Sequence, residues 1–320
     1  MRLVVVCSLV GVFATACAVG EPSEDELAVI EAQLANGRYS TQRFHLPPRT
    51  AVYDANGHWV ATFTDGARTV RVKGPSRTLH ERTAIDIRNT HWVRVLDTPF
   101  GGTVDVAWLD AARVDTSNDV IARALQYAEG APPITSNTTG LQIAGDASYG
   151  PLVDGARQEG SDFNDYLGIP WTYSDGTRDT NEAAQLHSLD CSGFMRMVWG
   201  YRHHVPLTAG ADGDGRAMPR RAVQILASGP GVVTIDVDAH ASEDVDRLFV
   251  GDLVFFDAST DDGTAIDHVG MYLGIDVDGH PRFISSRKSI NGPTFGDFSG
   301  ASTLDGTGLY ARSFRAARRL

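Results

Sequence analysis

The sequence predicts an α+β fold in which a small antiparallel β-barrel precedes a helix and a second sheet. Two observations lead to this prediction. Short alternating strands, separated by turn residues, fill residues 43–112. Further along the chain, a helix that carries Cys191 is followed by several more strands. A helix followed by an antiparallel sheet is the α+β order.

Length and composition favour two folded domains. The chain has 320 residues, of which 42% are hydrophobic, which is enough for packed cores. Its formal net charge of -12 argues against nucleic acid or an anionic membrane as the main partner, because both favour a basic face. We therefore expect neither as a ligand.

The first residues have the pattern of an export signal. Arg2 is followed by an apolar stretch over residues 3–14 and by small residues before Cys17, and an acidic segment comes next. This predicts a signal peptide at residues 1–16, too short for a membrane span. Cleavage after Ala16 and lipid attachment at Cys17 both fit the pattern. We expect an exported protein that is periplasmic, anchored to the cell envelope or extracellular.

A spacer and a barrel follow the signal. Residues 17–42 are predicted as a linker with a short helix at 24–35, where Leu27, Ile30 and Leu34 have helical spacing before Asn36-Gly37. Five short strands then imply a barrel over residues 43–112. These strands are predicted at residues 50–53, 59–63, 69–72, 92–96 and 104–109.

The remainder, residues 117–320, is predicted as one α+β domain. A linking helix at 117–129 leads into a loop-rich region at 130–160. Beyond the helix that carries Cys191, strands are expected at residues 232–237, 252–256, 269–273, 282–285 and 309–314.

Cys191 is the candidate nucleophile. Of the three cysteines, Cys7 lies in the signal and Cys17 is removed or acylated, so one thiol remains in the folded part. Residues 194, 197, 198 and 201 are apolar at helical spacing, and Asp190 is a natural N-cap for that helix. The sulfur should then face the positive end of a helix dipole, which with a neighbouring imidazole would lower the thiol pKa. The alternative is a thiol that only packs beneath the helix.

His268 is the candidate base. It stands at the first position of the predicted strand in His268-Val269-Gly270-Met271-Tyr272-Leu273-Gly274. A histidine there is anchored by the sheet and can still face a cleft. The alternative is a structural histidine at a strand edge.

Together these segments resemble the NlpC-type family of papain-like cell-wall cysteine peptidases. The resemblance rests on Asp190-Cys191-Ser192-Gly193-Phe194, Gly251-Asp252-Leu253-Val254-Phe255-Phe256 and the strand that begins at His268. Residues 167–173 and Met218-Pro219-Arg220 add support. The end of the predicted barrel, at residues 102–109, resembles bacterial Src-homology-three-like domains that often precede wall hydrolases.

The resemblance implies a chemical role for each matching residue. Cys191 matches the nucleophile, His268 the general base, and Asp190 the residue that holds the free amine of a murein stem peptide. The usual reaction is hydrolysis of the γ-D-glutamyl bond to a diamino acid, and no metal or organic cofactor is required. The N-H of Cys191 is the expected oxyanion donor.

Two departures from the family pattern concern the surroundings of the thiol. Ser285 occupies the third catalytic position, where the family often has a histidine that orients the imidazole. The aromatic pair appears reversed, as Trp171-Thr172-Tyr173. Trp171, Tyr173 and Ser192 are nevertheless predicted to contact substrate.

Two other functions compete with a peptidase. An amidase or acyltransferase could use Cys191 and His268 on another acyl group. A wall-binding module with a degenerate site is the second alternative, suggested by Ser285. We expect the protein to be a monomer whose partners are the stem peptides of peptidoglycan.

Overall fold

A computed structural model describes residues 32–34, 37–83, 85–259 and 263–320. The predicted signal peptide and Cys17 lie outside the described residues, as does most of the predicted spacer helix at 24–35. Within that helix, the prediction is wrong for Ala32–Gln33, which form strand β1 and pair with Ser40 and Thr41. In the part of the chain that is described, no helix has the length and hydrophobicity needed to cross a bilayer.

The N-terminal unit is a six-stranded antiparallel meander in which each strand pairs with the next. No pairing joins its first strand to its last among the described residues, so the sheet is open and the predicted closed barrel is not what forms. The last two strands extend well beyond β4 and leave the sheet as a two-stranded ribbon. The strands are β1 (Ala32–Gln33), β2 (Tyr39–His45), β3 (Pro48–Asp54), β4 (Trp59–Thr64), β5 (Thr69–His80) and β6 (Asp86–Val95).

The predicted strand at 104–109 is wrong, because this segment begins helix α1 (Val106–Val114). The Asp105 side chain accepts hydrogen bonds from the N-H groups of Ala107 and Trp108 and so caps the helix. Leu109 is fully buried against the sheet, and the Trp108 ring lies 5.7 Å from that of Phe63. A helix that covers an apolar face of the sheet therefore stands where the fifth barrel strand was predicted.

Short elements connect the two sheets. The linking helix is shorter than predicted: α2 spans Val120–Leu125 and is capped by Asp119. Two-stranded ribbons interrupt the loops that follow, and helix α3 (Phe163–Leu167) comes between them. The ribbons pair β7 (Ile134–Thr135) with β8 (Gln142–Ala144), β9 (Leu152–Val153) with β10 (Ala156–Arg157), and β11 (Trp171–Thr172) with β12 (Arg178–Asp179).

The C-terminal unit is a second antiparallel sheet with helices packed on it, so the architecture mixes helix and sheet as an α+β fold does. Helix α4 (Cys191–Met195) continues as a π-helical turn (Arg196–Tyr201) and packs on β15 and β16, and α5 spans Ala222–Ser228. The strand order is β13-β18-β14-β15-β16-β17. Their bounds are β13 (Val232–Ile235), β14 (Leu253–Phe256), β15 (His268–Ile275), β16 (Pro281–Arg287), β17 (Gly292–Thr294) and β18 (Phe314–Arg319).

The last predicted strand, at 309–314, is wrong in its position. Residues Leu309–Ser313 form helix α6, and the strand β18 follows it. The helix places the Tyr310 ring edge-on against Phe256, at 5.3 Å. Arg318 and Arg319 of β18 are buried because each has acceptors nearby. Arg318 donates to the backbone carbonyls of Leu226 and Gly229, and Arg319 pairs with Asp252.

A single core joins the two units. Leu79, Ile87 and Val93 of the β5–β6 ribbon are buried in the same hydrophobic cluster as Phe194 and Val269. Arg77 of β5 pairs with buried Asp119, and the Asn89 side-chain amide donates to the Leu273 carbonyl at 3.3 Å. The ribbon therefore fixes the N-terminal sheet against the unit that carries the thiol.

Candidate active site

Cys191 is the first residue of α4, as its spacing from the apolar positions predicts. Asp190 has extended backbone angles, and its Oδ1 accepts from the Gly193 N-H at 2.8 Å, which caps the helix. Gly193 permits a close approach, since a Cβ there would lie 2.1 Å from the Ser161 carbonyl oxygen. The helix start is therefore held tightly against residues 161–162.

The thiol faces the beginning of β15, where His268 lies. Cys191 Sγ donates to the Asp267 carbonyl at 3.9 Å, and the Val269 N-H donates to the sulfur. These two peptide units flank His268 in the chain. The structure thus brings the predicted nucleophile and the predicted base to one place, although they are 77 positions apart in the sequence.

Aromatic rings hold the His268 imidazole. The ring of Tyr310 lies 5.4 Å away and that of Phe256 lies 5.8 Å away. The side chain is partly exposed, but its Nε2 is buried. One edge of the imidazole is therefore enclosed while the residue as a whole keeps access to the surface.

Burial makes the resting pair neutral. Burial raises the pKa of Cys191 to about 12, and the nearby Asp190 charge raises it further. Burial also lowers the pKa of His268 to about 3, with a further contribution from the Arg287 charge. Burial thus opposes the lowering of the thiol pKa that the helix start predicts, and in this structure the pKa of Cys191 lies above its ordinary value.

Ser285 lies on β16 but makes no hydrogen bond to His268. Its Oγ accepts from Arg287 Nε at 3.1 Å, and no described residue is hydrogen-bonded to His268 Nε2. Arg287 is itself buried, with Cζ 4.3 Å from the Tyr310 ring centre. In this structure the predicted third catalytic residue is thus engaged by an arginine instead of by the imidazole.

Changing Ser285 to alanine should cost little activity. Removing a side chain that orients the base in a triad can cost up to about 10⁴ in kcat. Since Ser285 is bonded to Arg287, we expect Ser285→Ala to lower kcat/KM on a murein peptide by less than about threefold. His268→Ala, measured beside it, should lose at least about a hundredfold. A loss above a hundredfold for Ser285→Ala would show that the hydroxyl turns to His268 during turnover.

Asp190 forms a buried ion pair with Arg220. Its Oδ1 accepts from Arg220 Nη1 at 3.1 Å, and its Oδ2 accepts from Arg220 Nη2 at 2.5 Å and from the Gly160 N-H at 3.0 Å. Burial raises the pKa of Asp190, but Arg220 and the backbone donors outweigh it and hold that pKa below its ordinary value. Most of the acceptor positions of this carboxylate are thus filled. A substrate amine would have to compete with them.

Ser192 belongs to the same cluster. Its hydroxyl accepts from Arg220 Nη1 at 2.7 Å and donates to Asp190 Oδ1 at 3.3 Å. The side chain is buried beside the thiol. If Ser192 contacts substrate as predicted, it does so while its hydroxyl is hydrogen-bonded to Asp190 and Arg220.

A second buried pair supports the first. Arg196, in the π-helical turn after α4, donates through Nε to both oxygens of Asp162 at 3.1 and 2.9 Å. Arg220 Nε lies 3.7 Å from the same carboxylate. The chain of charges Arg196, Asp162, Arg220 and Asp190 therefore ties the thiol helix to the loop ahead of α3.

The two predicted aromatic contacts occupy different surroundings. Tyr173 is buried, and its hydroxyl accepts from Arg196 Nη2 at 2.8 Å, so it belongs to the support beneath the helix. Trp171 packs on Phe163 and lines a cavity of about 490 Å³ with Tyr201. Tyr201 is ten residues beyond Cys191, at the opposite end of the thiol helix. The structure does not place Trp171 beside the sulfur.

The sequence did not single out three residues near the thiol. The segment Met218-Pro219-Arg220 is the sequence signal for Arg220. Tyr149 is buried, and its pKa is raised first by burial and then by the nearby Cys191 and Asp190. Tyr310 covers His268. No local pattern distinguishes either tyrosine, because each reaches the site through tertiary packing.

Comparison with known proteins identifies part of the chain. The model of the NlpC/P60 family matches residues 170–295, a span that contains Cys191, His268 and Ser285. None of the curated proteins matches the chain. Members of this family are typically cysteine peptidases that act on the cell wall. The chain is therefore similar to the NlpC/P60 family over residues 170–295, and this match confirms the resemblance of its motifs.

Proposed function

We propose that the protein is an exported cysteine endopeptidase that cuts peptidoglycan stem peptides between γ-D-glutamate and the diamino acid. The observation that supports this most is the position of the Cys191 sulfur, which contacts the peptide units on either side of His268. The catalytic unit is papain-like, with the thiol at a helix start that packs on the strand bearing the base. The N-terminal sheet, the counterpart of the predicted Src-homology-three-like domain, would position this unit on the wall.

The reaction proceeds from a neutral pair. As the sulfur attacks the peptide carbonyl carbon, the thiol proton passes to His268, so thiolate and imidazolium form together with the tetrahedral intermediate. The backbone N-H of Cys191 donates to the oxyanion. Imidazolium then protonates the leaving amine as the C-N bond breaks, which gives an acyl-enzyme. Water deprotonated by His268 releases the acid and restores the thiol.

The Asp190–Arg220 pair acts in our proposal by positioning Cys191. Because the pair fixes the first turn of α4, it fixes the sulfur relative to the carbonyl carbon. The negative charge of the Asp190 carboxylate would attract the free amine of a stem peptide in competition with Arg220. Ser192 would adjust this charge through its hydrogen bonds, and Trp171 and Tyr173 would contribute through packing of the helix.

Digestion of purified murein tests the proposal. Wild-type protein should release fragments whose masses show cleavage after γ-D-glutamate, and Cys191→Ala should release none of them. Cys191→Ala preserves the apolar surroundings, so loss of product reports on the thiol itself. Products cut at the bond between glycan and peptide would indicate an amidase instead. Intact stem peptides that carry transferred acyl groups would indicate an acyltransferase.

A binding module without turnover is the second candidate. The unpartnered Nε2 of His268 and the engagement of Ser285 by Arg287 favour it. In that case wild type and Cys191→Ala would sediment equally with murein, and neither would release fragments.

A further inference from the structure

A groove at the junction of the two sheets lies apart from the thiol. Its volume is about 780 Å³, and it is bounded on one side by the β5–β6 ribbon and on the other by β15 and the turn that follows it. Tyr272 and Ile275 line it from β15, four and seven residues beyond His268. At about 3.3 Å per residue these positions lie about 13 to 23 Å along the strand from the catalytic base. The groove is therefore not part of the cleavage site.

Arg71 presents an unsatisfied guanidinium to this groove. No hydrogen bond or ion pair joins it to any described residue, and its Nε is buried. The group is held in place by aromatic rings, with Cζ 3.7 Å from the Phe249 ring centre and 4.7 Å from that of Trp59. The buried Nε is a donor without a partner, which costs free energy, while the residue is half-buried and its Nη donors remain accessible.

The surroundings of Arg71 carry excess positive charge. Arg319 covers the Phe249 ring at the same distance of 3.7 Å, but it engages Asp252 through two hydrogen bonds of 2.8 Å. Arg319 thus occupies the carboxylate of Asp252, and Arg71 is left without an ion-pair partner among the described residues. Burial and the Arg319 charge lower the pKa of Arg71 to about 9, so it is still cationic at neutral pH.

Other groups of the groove complete a site for an anion. Arg88 is exposed and makes no ion pair with a described residue, while the carboxylate of Asp276 is already neutralised by Arg282 at 2.6 Å. Leu248 and Val250 supply an apolar wall. The lining therefore combines two arginines and an apolar wall with polar side chains such as Ser76, Asn89 and Thr90, in a protein whose net charge is -12.

We propose that this groove binds the terminal carboxylate of a short peptide with small apolar side chains, and that Arg71 is the residue that receives it. The planar guanidinium matches a carboxylate in a bidentate arrangement. The apolar wall favours a carboxylate attached to alanine-like residues over a free phosphate, which would need more donors. That such a peptide comes from the wall rests on the proposed function. The groove would then hold one stem peptide while the thiol cuts another.

The test is a binding measurement that does not depend on cleavage. N-acetyl-D-alanyl-D-alanine and its C-terminal amide are titrated calorimetrically into the full-length Cys191→Ala protein. We expect the acid to bind and the amide to bind at least about tenfold more weakly, since a charged hydrogen-bonded pair contributes that much. Equal affinity for acid and amide would overturn the proposal, and this comparison needs no change at Arg71.

Variants then locate the site. Arg71→Met keeps an apolar chain against Phe249 and removes the charge, so it should weaken acid binding about tenfold. Arg216→Met is the matched control, because the Arg216 side chain is 84% exposed and lies outside the groove, and it should bind as the parent does. Unchanged binding by a folded Arg71→Met protein would refute the assignment. Inorganic phosphate that binds more tightly than the peptide would also refute it and indicate a general anion site. Murein cleavage by the wild type is independent of every one of these outcomes.

Discussion

Replacing Arg220 with glutamine should destabilise the protein by about 3 kcal/mol and lower kcat/KM on a stem peptide by about a hundredfold. The substitution leaves Asp190 buried without its counter-ion, and breaking a buried pair on one side costs about 3 to 5 kcal/mol. We place the effect at the lower end because the Arg220 side chain is 24% exposed. Activity should fall because Asp190 caps the helix that carries Cys191, and a small displacement of the sulfur misaligns the attack. Urea denaturation and steady-state kinetics measure the two effects.

A matched control and a second variant separate the roles of Arg220. Arg216→Gln changes an exposed arginine of the same segment and should alter the free energy of unfolding by less than about 0.5 kcal/mol. Adding Asp190→Asn to Arg220→Gln removes the unpaired charge but retains a cap, so the double variant should be more stable than the sum of the single changes predicts. If Arg220→Gln leaves stability intact yet abolishes activity, Arg220 binds substrate and does not act through Asp190.

The positions of Cys191 and His268 follow from local sequence, whereas their state of charge does not. A capping aspartate before helically spaced apolar residues places the thiol, and the predicted start of β15 places the imidazole. The pKa of each group depends on how much of the chain covers it, and that coverage comes from Tyr310, Phe256 and the loop around Tyr149. These residues are distant in sequence from the groups they bury, so desolvation could not be inferred from a motif.

The errors in the predicted secondary structure have a local cause. Residues 104–109 alternate as a strand does, but Asp105 is also a helix cap, and the sheet already present offers an apolar face to α1. At the other end of the chain, the arginines of β18 make a buried strand look polar in the sequence. Arg318 and Arg319 are buried only because backbone carbonyls and Asp252 accept their hydrogen bonds. In both places the local sequence is compatible with a helix and with a strand, and tertiary contacts determine which of the two forms.

The hydrogen bonding of Ser285, at the predicted third catalytic position, also depends on tertiary packing that the sequence does not show. The order of the motifs predicts that Ser285 lies on the strand next to His268, and β16 does pair with β15. The direction of its hydrogen bond depends on Arg287, which reaches Ser285 only because Gly300 and Ser302 hold the other end of its guanidinium. Orientation of this kind is a property of the packed site.

The pH dependence of cleavage should lack the acid limb that an ordinary histidine base produces. With a pKa of 6.5, His268 would be about 3% neutral at pH 5, and kcat/KM would fall about thirtyfold between pH 8 and pH 5. Burial and the Arg287 charge lower the pKa of His268 to about 3, so the imidazole is deprotonated and available as a base across this range. We therefore expect kcat/KM for stem-peptide hydrolysis to change by less than about twofold from pH 8 to pH 5.

Arg287→Met provides the comparison that ties this profile to the site. Arg287 is the nearby cation that lowers the pKa of His268, and Asp190 is the anion that raises it, so removing the arginine charge leaves burial as the effect that opposes the carboxylate. The pKa of His268 should rise, so the acid limb should move to a higher pH than in the wild type, while methionine still packs against Tyr310. A wild-type acid limb near pH 6.5 would mean that the imidazole is hydrated in the free enzyme. An identical profile for Arg287→Met would mean that burial alone sets the protonation of the base.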